Sequence, residues 1–229
     1  MPRHPVLAYL SLTALLPAAA GGQRPLVRVR TGRVVLAPGA GASERVLTAS
    51  GRDTTPVLSP DERLVAFTRG TPGDSVETGL GAVERTELWV VRADGTGERR
   101  LVGGRAAPRR GRYPDMAGAL AGLWDPVFAP DGRTLYVLSA AWATSSALHR
   151  VDVATGRTRF LCDANGVALI PRGRYRGRLL RWWHHYRRDG ASDEVWVVTP
   201  ACRPVRLVAR ESAPDAEARI AAARVGRLR

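Results

Sequence analysis

Lysine is absent from this chain of 229 residues, and all 35 of its basic side chains are arginine. Set against 21 acidic residues, they give a formal net charge of +14. Clustered cations bind phosphates strongly, so such a charge invites a nucleic-acid reading. The arginines are scattered between apolar stretches rather than gathered on one helix, so the footprint of a nucleic-acid binder is missing. An all-arginine, alanine- and glycine-rich composition reads instead as the imprint of GC-rich coding on surface positions. No specific nucleic-acid partner follows. The charge supports only non-specific attraction to anionic surfaces, such as lipid head groups and polyanionic glycans.

Long hydrophobic runs are lacking too. Val6 to Leu16 spans about eleven residues, whereas a bilayer needs roughly 20, so no transmembrane segment is expected. The run lies between a basic start, Met1-Pro2-Arg3-His4, and the small residues Pro17-Ala18-Ala19-Ala20. These are the three parts of a secretory signal peptide. Residues 1–20 are expected to be removed near Ala20, leaving a periplasmic or secreted chain, and no cysteine follows the run to anchor a lipid.

Cysteine is scarce: Cys162 and Cys202 are the two present. In an oxidising compartment they could close a disulfide worth roughly 4 kcal/mol for a loop of about 41 residues. The spacing fits two unpaired thiols equally well. Histidine numbers four, with no second pair at metal-ligand spacing. His184 and His185 are neighbours, and adjacent residues on a strand point to opposite faces, so they are poorly placed to share a metal. His149 has no partner legible in the sequence. There is no G-x-S-x-G elbow and no Ser/His/Asp set with triad spacing. Gly39-Ala40-Gly41-Ala42-Ser43 lacks the third glycine and helix of a dinucleotide loop. No catalytic, cofactor or metal residues are therefore assigned, and the chain is not expected to be an enzyme.

What the sequence does have is a repeat. Thr55-Pro56-Val57-Leu58-Ser59-Pro60-Asp61-Glu62-Arg63-Leu64-Val65-Ala66-Phe67 aligns with Asp125-Pro126-Val127-Phe128-Ala129-Pro130-Asp131-Gly132-Arg133-Thr134-Leu135-Tyr136-Val137. Each copy reads as strand, tight turn, strand, with proline and aspartate at the turn corners. Glu62 in place of Gly132 is a departure of little consequence in a type I turn. Each copy continues into a hairpin: Leu88 to Val102 around Asp94-Gly95, and Leu148 to Leu161 around Thr155-Gly156. Two hairpins make a four-stranded meander, which is one propeller blade. Nearly continuous apolar strands such as Leu64 to Phe67 suit sheets covered on both faces.

These two repeats, over about residues 53–162, resemble the blades of TolB-type β-propellers, with their P-x-x-S-P-D-G turn followed by an L-x-V-x-x-x-D-G hairpin. The resemblance implies an all-β fold: a small or partial β-propeller of about four blade-like, four-stranded antiparallel sheets, with a short C-terminal helix. Weaker copies flank the two. Leu26 to Arg30, Arg33 to Ala37 and Glu44 to Thr48 make three strands, and Val167 to Ile170, Arg178 to Trp183, Val195 to Thr199 and Val205 to Val208 make a last set. The propeller domain is expected over 21–210, with blade-like units at about 25–48, 53–102, 123–162 and 166–209, and a helical tail over 211–229. Gly70 to Thr86 and Gly103 to Gly122 read as long loops, which are uncommon unless functional or disordered. The ring could close, stay open or be completed by a second copy.

Two features suit partner binding. Trp182-Trp183-His184-His185-Tyr186-Arg187-Arg188 interleaves aromatics with arginine, and such side chains stack on sugars, bases or protein partners. Packing inside the fold is the alternative, favoured for Trp182 or Trp183; Tyr186 to Arg188 are expected exposed. Trp142 lies in a turn of the second repeat, where it could line a rim. Asp53 and Asp125 precede the opening strands, at a position that in a propeller tends to face the channel or a rim; stabilising turn contacts are the favoured reading there and cation or ligand binding the alternative. The expected function is a protein-binding module of the cell envelope. A glycan or polyanion binder comes second and a hydrolase-type propeller third, since fold alone does not set function.

Overall fold

The computed structural model describes residues 24–37, 39, 43–78, 81–110, 113–188 and 190–228; the expected signal peptide lies outside them. Four antiparallel meanders follow one another along the chain. The first sheet holds β1 (Leu26–Arg30), β2 (Arg33–Ala37) and β3 (Arg45–Val46). The second holds β4 (Asp53–Leu58), β5 (Leu64–Thr78), β6 (Gly81–Arg92) and β7 (Arg99–Val102). A short ribbon of β8 (Arg109–Arg110) and β9 (Tyr113–Pro114) and a 3-10 turn at Met116–Gly118 lead to the third. That sheet comprises β10 (Ala121–Phe128), β11 (Thr134–Ala140), β12 (Ala147–Asp152) and β13 (Thr158–Asp163). The fourth comprises β14 (Gly166–Leu169), β15 (Leu179–Arg187), β16 (Gly190–Val198) and β17 (Pro204–Arg210), and α1 (Ala216–Arg224) follows it.

The repeat's turn chemistry acts as its residues dictate. The amide of Glu62 donates to the Ser59 carbonyl, as that of Gly132 does to Ala129. Glu62 departs from expectation: it sits at φ +60°, beside +64° at Gly132, in the left-handed region where a side chain costs about 1 kcal/mol. At the outer hairpins, the Asp94 carboxylate accepts the amide and hydroxyl of Thr96, and the Asp152 carboxylate those of Thr155. These bonds favour the ionised form and hold both carboxyls below their ordinary value. In both copies of the repeat the opening strand also carries a bulge at the residue before proline. Thr55 and Asp125 have φ of +45° and +47°, and the ladder shifts register there.

Apolar faces stack sheet on sheet. Val34, Leu36 and Leu47 meet Phe67 and Val91; Leu88 and Val90 meet Leu135 and Val137; Tyr136 and Leu148 meet Leu179 and Val198. Each such side chain, once buried, contributes about 1.5–3 kcal/mol. The remaining face of the fourth sheet, with Leu180, Val195, Val197 and Val208, is covered by α1 through Ala216, Ile220 and Ala223. The helix thus stands where a further blade would stack. It begins at Ala216, inside the 211–229 tail, with Pro214 and Asp215 preceding its first turn.

A second device ties the seams at the outer rim. Arg45 on β3 donates to the Ala93 carbonyl in the β6–β7 turn at 3.1 Å, and Arg99 on β7 donates to the Val153 carbonyl in the β12–β13 turn at 2.6 Å. At the third seam the tie is covalent. Cys162 on β13 is joined to Cys202 in the β16–β17 turn, Cα to Cα 6.3 Å. Inward, β1 packs on β4, β4 on β10 and β10 on β14; no comparable contact joins β14 to β1 among the described residues. The described sheets therefore form an arc.

The Gly70–Thr86 stretch is not a loop. β5 and β6 run on as a hairpin, re-paired from Ser75↔Glu84 to Thr78↔Gly81 beyond an irregularity after Gly70. It bends over the third sheet, where Thr86 Oγ1 donates to the Leu123 carbonyl and Val83 packs on Gly122. Its Gly, Pro and charged residues hid a strand extension that this docking stabilises. The tight β1–β2 turn shows why one glycine is required. A Cβ on Gly32 (φ +68°) would lie 2.0 Å from the Gly51 carbonyl oxygen.

Candidate functional site: the rim of the third and fourth sheets

The β11–β12 turn and the β15–β16 hairpin emerge on the same rim and are fastened together. Tyr186 donates its hydroxyl to Thr144 Oγ1 at 3.0 Å. Asn165, between β13 and β14, donates to the Thr144 carbonyl and accepts the Ser146 amide. This brings the Trp142 turn beside the Tyr186 hairpin, two stretches far apart in sequence. Trp142 meets Phe160 edge to face, with ring centroids 6.1 Å apart. Tyr186 is 63 % exposed and Phe160 36 %.

Below the hairpin, side chains alternate strictly between faces. On the face toward the third sheet, Trp183 stacks on His185 at 4.1 Å and the Arg181 guanidinium lies 4.1 Å from the Trp183 ring. Asp163 organises the group. Its carboxylate accepts Trp183 Nε1 at 2.6 Å and Arg181 Nη2 at 2.7 Å, and its carbonyl accepts Arg181 Nε. Burial presses the Arg181 guanidinium below its ordinary pKa, and the Asp163 carboxylate opposes this. His185 Nδ1 is buried with no hydrogen bond, 3.9 Å from Glu194 Oε2. On the opposite face, His184 Nδ1 lies 2.7 Å from the Asp193 carboxylate and its ring meets Tyr186 edge to face. The two histidines point apart, and among the described residues no cluster of three or more His, Cys, Asp or Glu could hold a metal.

The sequence candidates divide. Trp142, Trp183, His184, His185 and Tyr186 gather at this rim, with Arg188 exposed at the hairpin end. Arg187 ends β15. Trp182 lies apart from them: it faces α1, with the Arg224 guanidinium 4.9 Å from its ring, packed in the helix seat. Asp53 is fully buried and holds Arg69 Nε at 2.6 Å with Ser50 Oγ, in a structural contact at the first seam.

Asp125 is half-buried, and no partner holds its carboxylate among the described residues. Burial raises its pKa. The folded form then grips the proton more tightly than the unfolded chain does, so stability falls as pH rises through that window. Asp125→Asn keeps a residue that tolerates positive φ and removes the charge. It should raise stability at pH 7 by on the order of 1 kcal/mol, read as a higher denaturant midpoint. A lower midpoint would mean the carboxylate holds a partner.

Sequence reasoning missed Thr144, Phe160 and Asp163. It also missed a repeated signal, Glu-x-Trp on the third strands of the second and fourth sheets. Glu87 accepts Trp89 Nε1, and Glu194 accepts Trp196 Nε1. In the third sheet that layer holds His149, whose Nε2 is 2.9 Å from Ser139 Oγ. Ser139 Oγ in turn donates to the Ala119 carbonyl. Ser139 is fully buried and His149 2 % exposed, so this Ser–His pair is sealed from substrate.

No protein-family model matches the chain, and no curated protein matches its sequence. Solved structures match it as a fold. An oligogalacturonate lyase in complex with manganese shares 16 % identity at a TM-score of 0.51, over 80 % of this chain and 43 % of that one. A chain of a nidogen/laminin complex shares 12 % at 0.50, over 82 % and 62 %. TolB from Acinetobacter baumannii overlays at a TM-score of 0.34 with 14 % identity, over 76 % of this chain and 48 % of that one. The chain spans 43 % and 62 % of the first two matched chains. No described helix is long and apolar enough to cross a membrane. The chain has the all-β fold of β-propellers, built from blade-like antiparallel sheets with one short helix.

Proposed function

We propose that this protein is an exported, non-catalytic propeller that binds a protein of the cell envelope through the rim of its third and fourth sheets. The observation that carries it is the aromatic group of half-buried Trp142 with exposed Phe160 and Tyr186, fastened by the Tyr186–Thr144 bond. Rigid aromatic and arginine side chains are the usual anchors of protein interfaces. The Cys162–Cys202 bridge and the signal-like start support an oxidising compartment, periplasmic or secreted. The sealed Ser139–His149 pair argues against that pair as a hydrolase centre. A glycan or polyanion ligand is the second reading, favoured by Trp183 and His185 stacked beside Arg181.

The test is mild crosslinking in the native host, followed by purification at low and high salt. Tyr186→Ala with Arg188→Ala alters exposed side chains and, through the lost Thr144 bond, should cost about 1 kcal/mol of stability. It should reduce a protein partner retained at high salt about ten-fold. Recovery of glycan alone, released by salt, would sink the protein-partner reading and favour the second.

A further inference from the structure

The second, third and fourth sheets each have four strands and the first has three. The missing member is the innermost. Glu44-Arg45-Val46-Leu47 stands in the register of Glu98-Arg99-Arg100-Leu101, and Arg45 reaches the next sheet's turn as Arg99 does, so β3 is an outermost strand. β2 and β1 then hold the third and second places, and β4 lies on them as β10 lies on β6 and β5. β1 pairs with β2 along one side. Among the described residues no strand lies along its other side. Such an edge presents a row of backbone N–H and C=O groups able to take another strand.

The side chains of β1 select what can dock. Val27 stands opposite Leu36 and packs on the face turned to the second sheet; Val29, next along that row and opposite Val34, is 39 % exposed. On the other face Arg28 and Arg30 both pair with Glu44, and Arg33 stands opposite Arg30. Three guanidinium groups face one carboxylate there. A second copy docking edge to edge would set these arginines against their own kind, and like charges on an edge suppress self-pairing. An incoming strand would add one row of side chains beside Val27 and Val29 and the alternate row beside Arg28 and Arg30.

We propose that the inner edge of β1 and its arginines form a docking site for an extended segment of a partner protein in which apolar and acidic residues alternate. The strand would take the innermost place of the first sheet, its backbone completing the ladder and its carboxylates meeting the arginine excess. The site lies at the opposite end of the arc from the Tyr186 rim and stands or falls apart from it.

A labelled peptide of about eight residues, an ordinary strand length, with glutamate and valine alternating, is titrated onto the full chain by fluorescence anisotropy. Three controls accompany it: the same peptide N-methylated at alternate amides, a lysine-for-glutamate version, and the chain carrying Arg28→Glu with Arg30→Glu. Each control should weaken binding about ten-fold or more, and raising salt from about 0.1 to 0.5 M should weaken it several-fold. Amide exchange within Leu26–Arg30 should slow when the unmodified peptide is bound. Equal binding of the N-methylated peptide would overturn strand addition. So would unchanged exchange in β1, a tighter lysine peptide, or a polyanion such as heparin binding the arginines with β1 exchange unaffected.

Discussion

Replacing Cys162 and Cys202 by serine is expected to lower the unfolding free energy by about 4 kcal/mol, the chain-entropy value for a loop of this length. The bridge spans a sequence separation of 40 residues and joins the outermost strand of the third sheet to the outer turn of the fourth. The first two seams carry single hydrogen bonds from Arg45 and Arg99 at the corresponding place. A neutral acceptor and a charged donor contribute about 1.5–3 kcal/mol at most, so the third seam should be the hardest to open while oxidised. Asp163, next to Cys162, holds Arg181 and Trp183, and their ordering should loosen with the bridge. The check is denaturant unfolding with and without a dithiol, followed by tryptophan emission. Oxidised wild type and the serine variant should differ by that amount; reduced wild type should match the variant. A difference below about 1 kcal/mol would show that packing alone holds the seam.

The second large effect concerns pH. Burial lowers the pKa of His149 from 6.5 to about 4, with Arg105 adding to the shift. The unfolded imidazole therefore protonates first. Its contribution to stability is complete above about pH 6.5, falls as pH drops, and is lost by about pH 4. The gap corresponds to about 3 kcal/mol. His149→Gln keeps an amide able to reach Ser139 and removes the titration. The stability difference between wild type and this variant should change by about that amount between pH 7 and pH 4. The turn carboxylates Asp94 and Asp152, held below their ordinary values, affect both proteins alike and cancel. Parallel stability curves would show that water reaches the imidazole in the folded state.

Why the sequence revealed the sheets but not the rim is a matter of range. Turn chemistry is local: Pro60-Asp61 and Pro130-Asp131 announce their hairpins, and the apolar runs between them suit sheets covered on both faces. Strand alternation likewise separated His184 from His185 before any coordinates. The β5–β6 extension was misread because the Thr71-Pro72-Gly73 stretch looks like a loop, and its pairing depends on Thr86 and Val83 finding the third sheet. Trp182 was placed with its neighbours because nothing in its own strand reveals that α1 covers it. The Ser139–His149 contact and the Asp163 cluster join residues ten or more positions apart through register, which no motif records. The partner of Asp53 was hidden for the same reason, Arg69 lying across the ladder.

The helix at the end of the arc also governs how copies of this molecule can assemble. Head-to-tail growth into a fibre needs two complementary ends on every subunit. Here α1 occupies the face on which another blade would stack, so each molecule keeps a single unsatisfied end. Growth by stacking blade on blade is therefore closed at the helix end of the described arc.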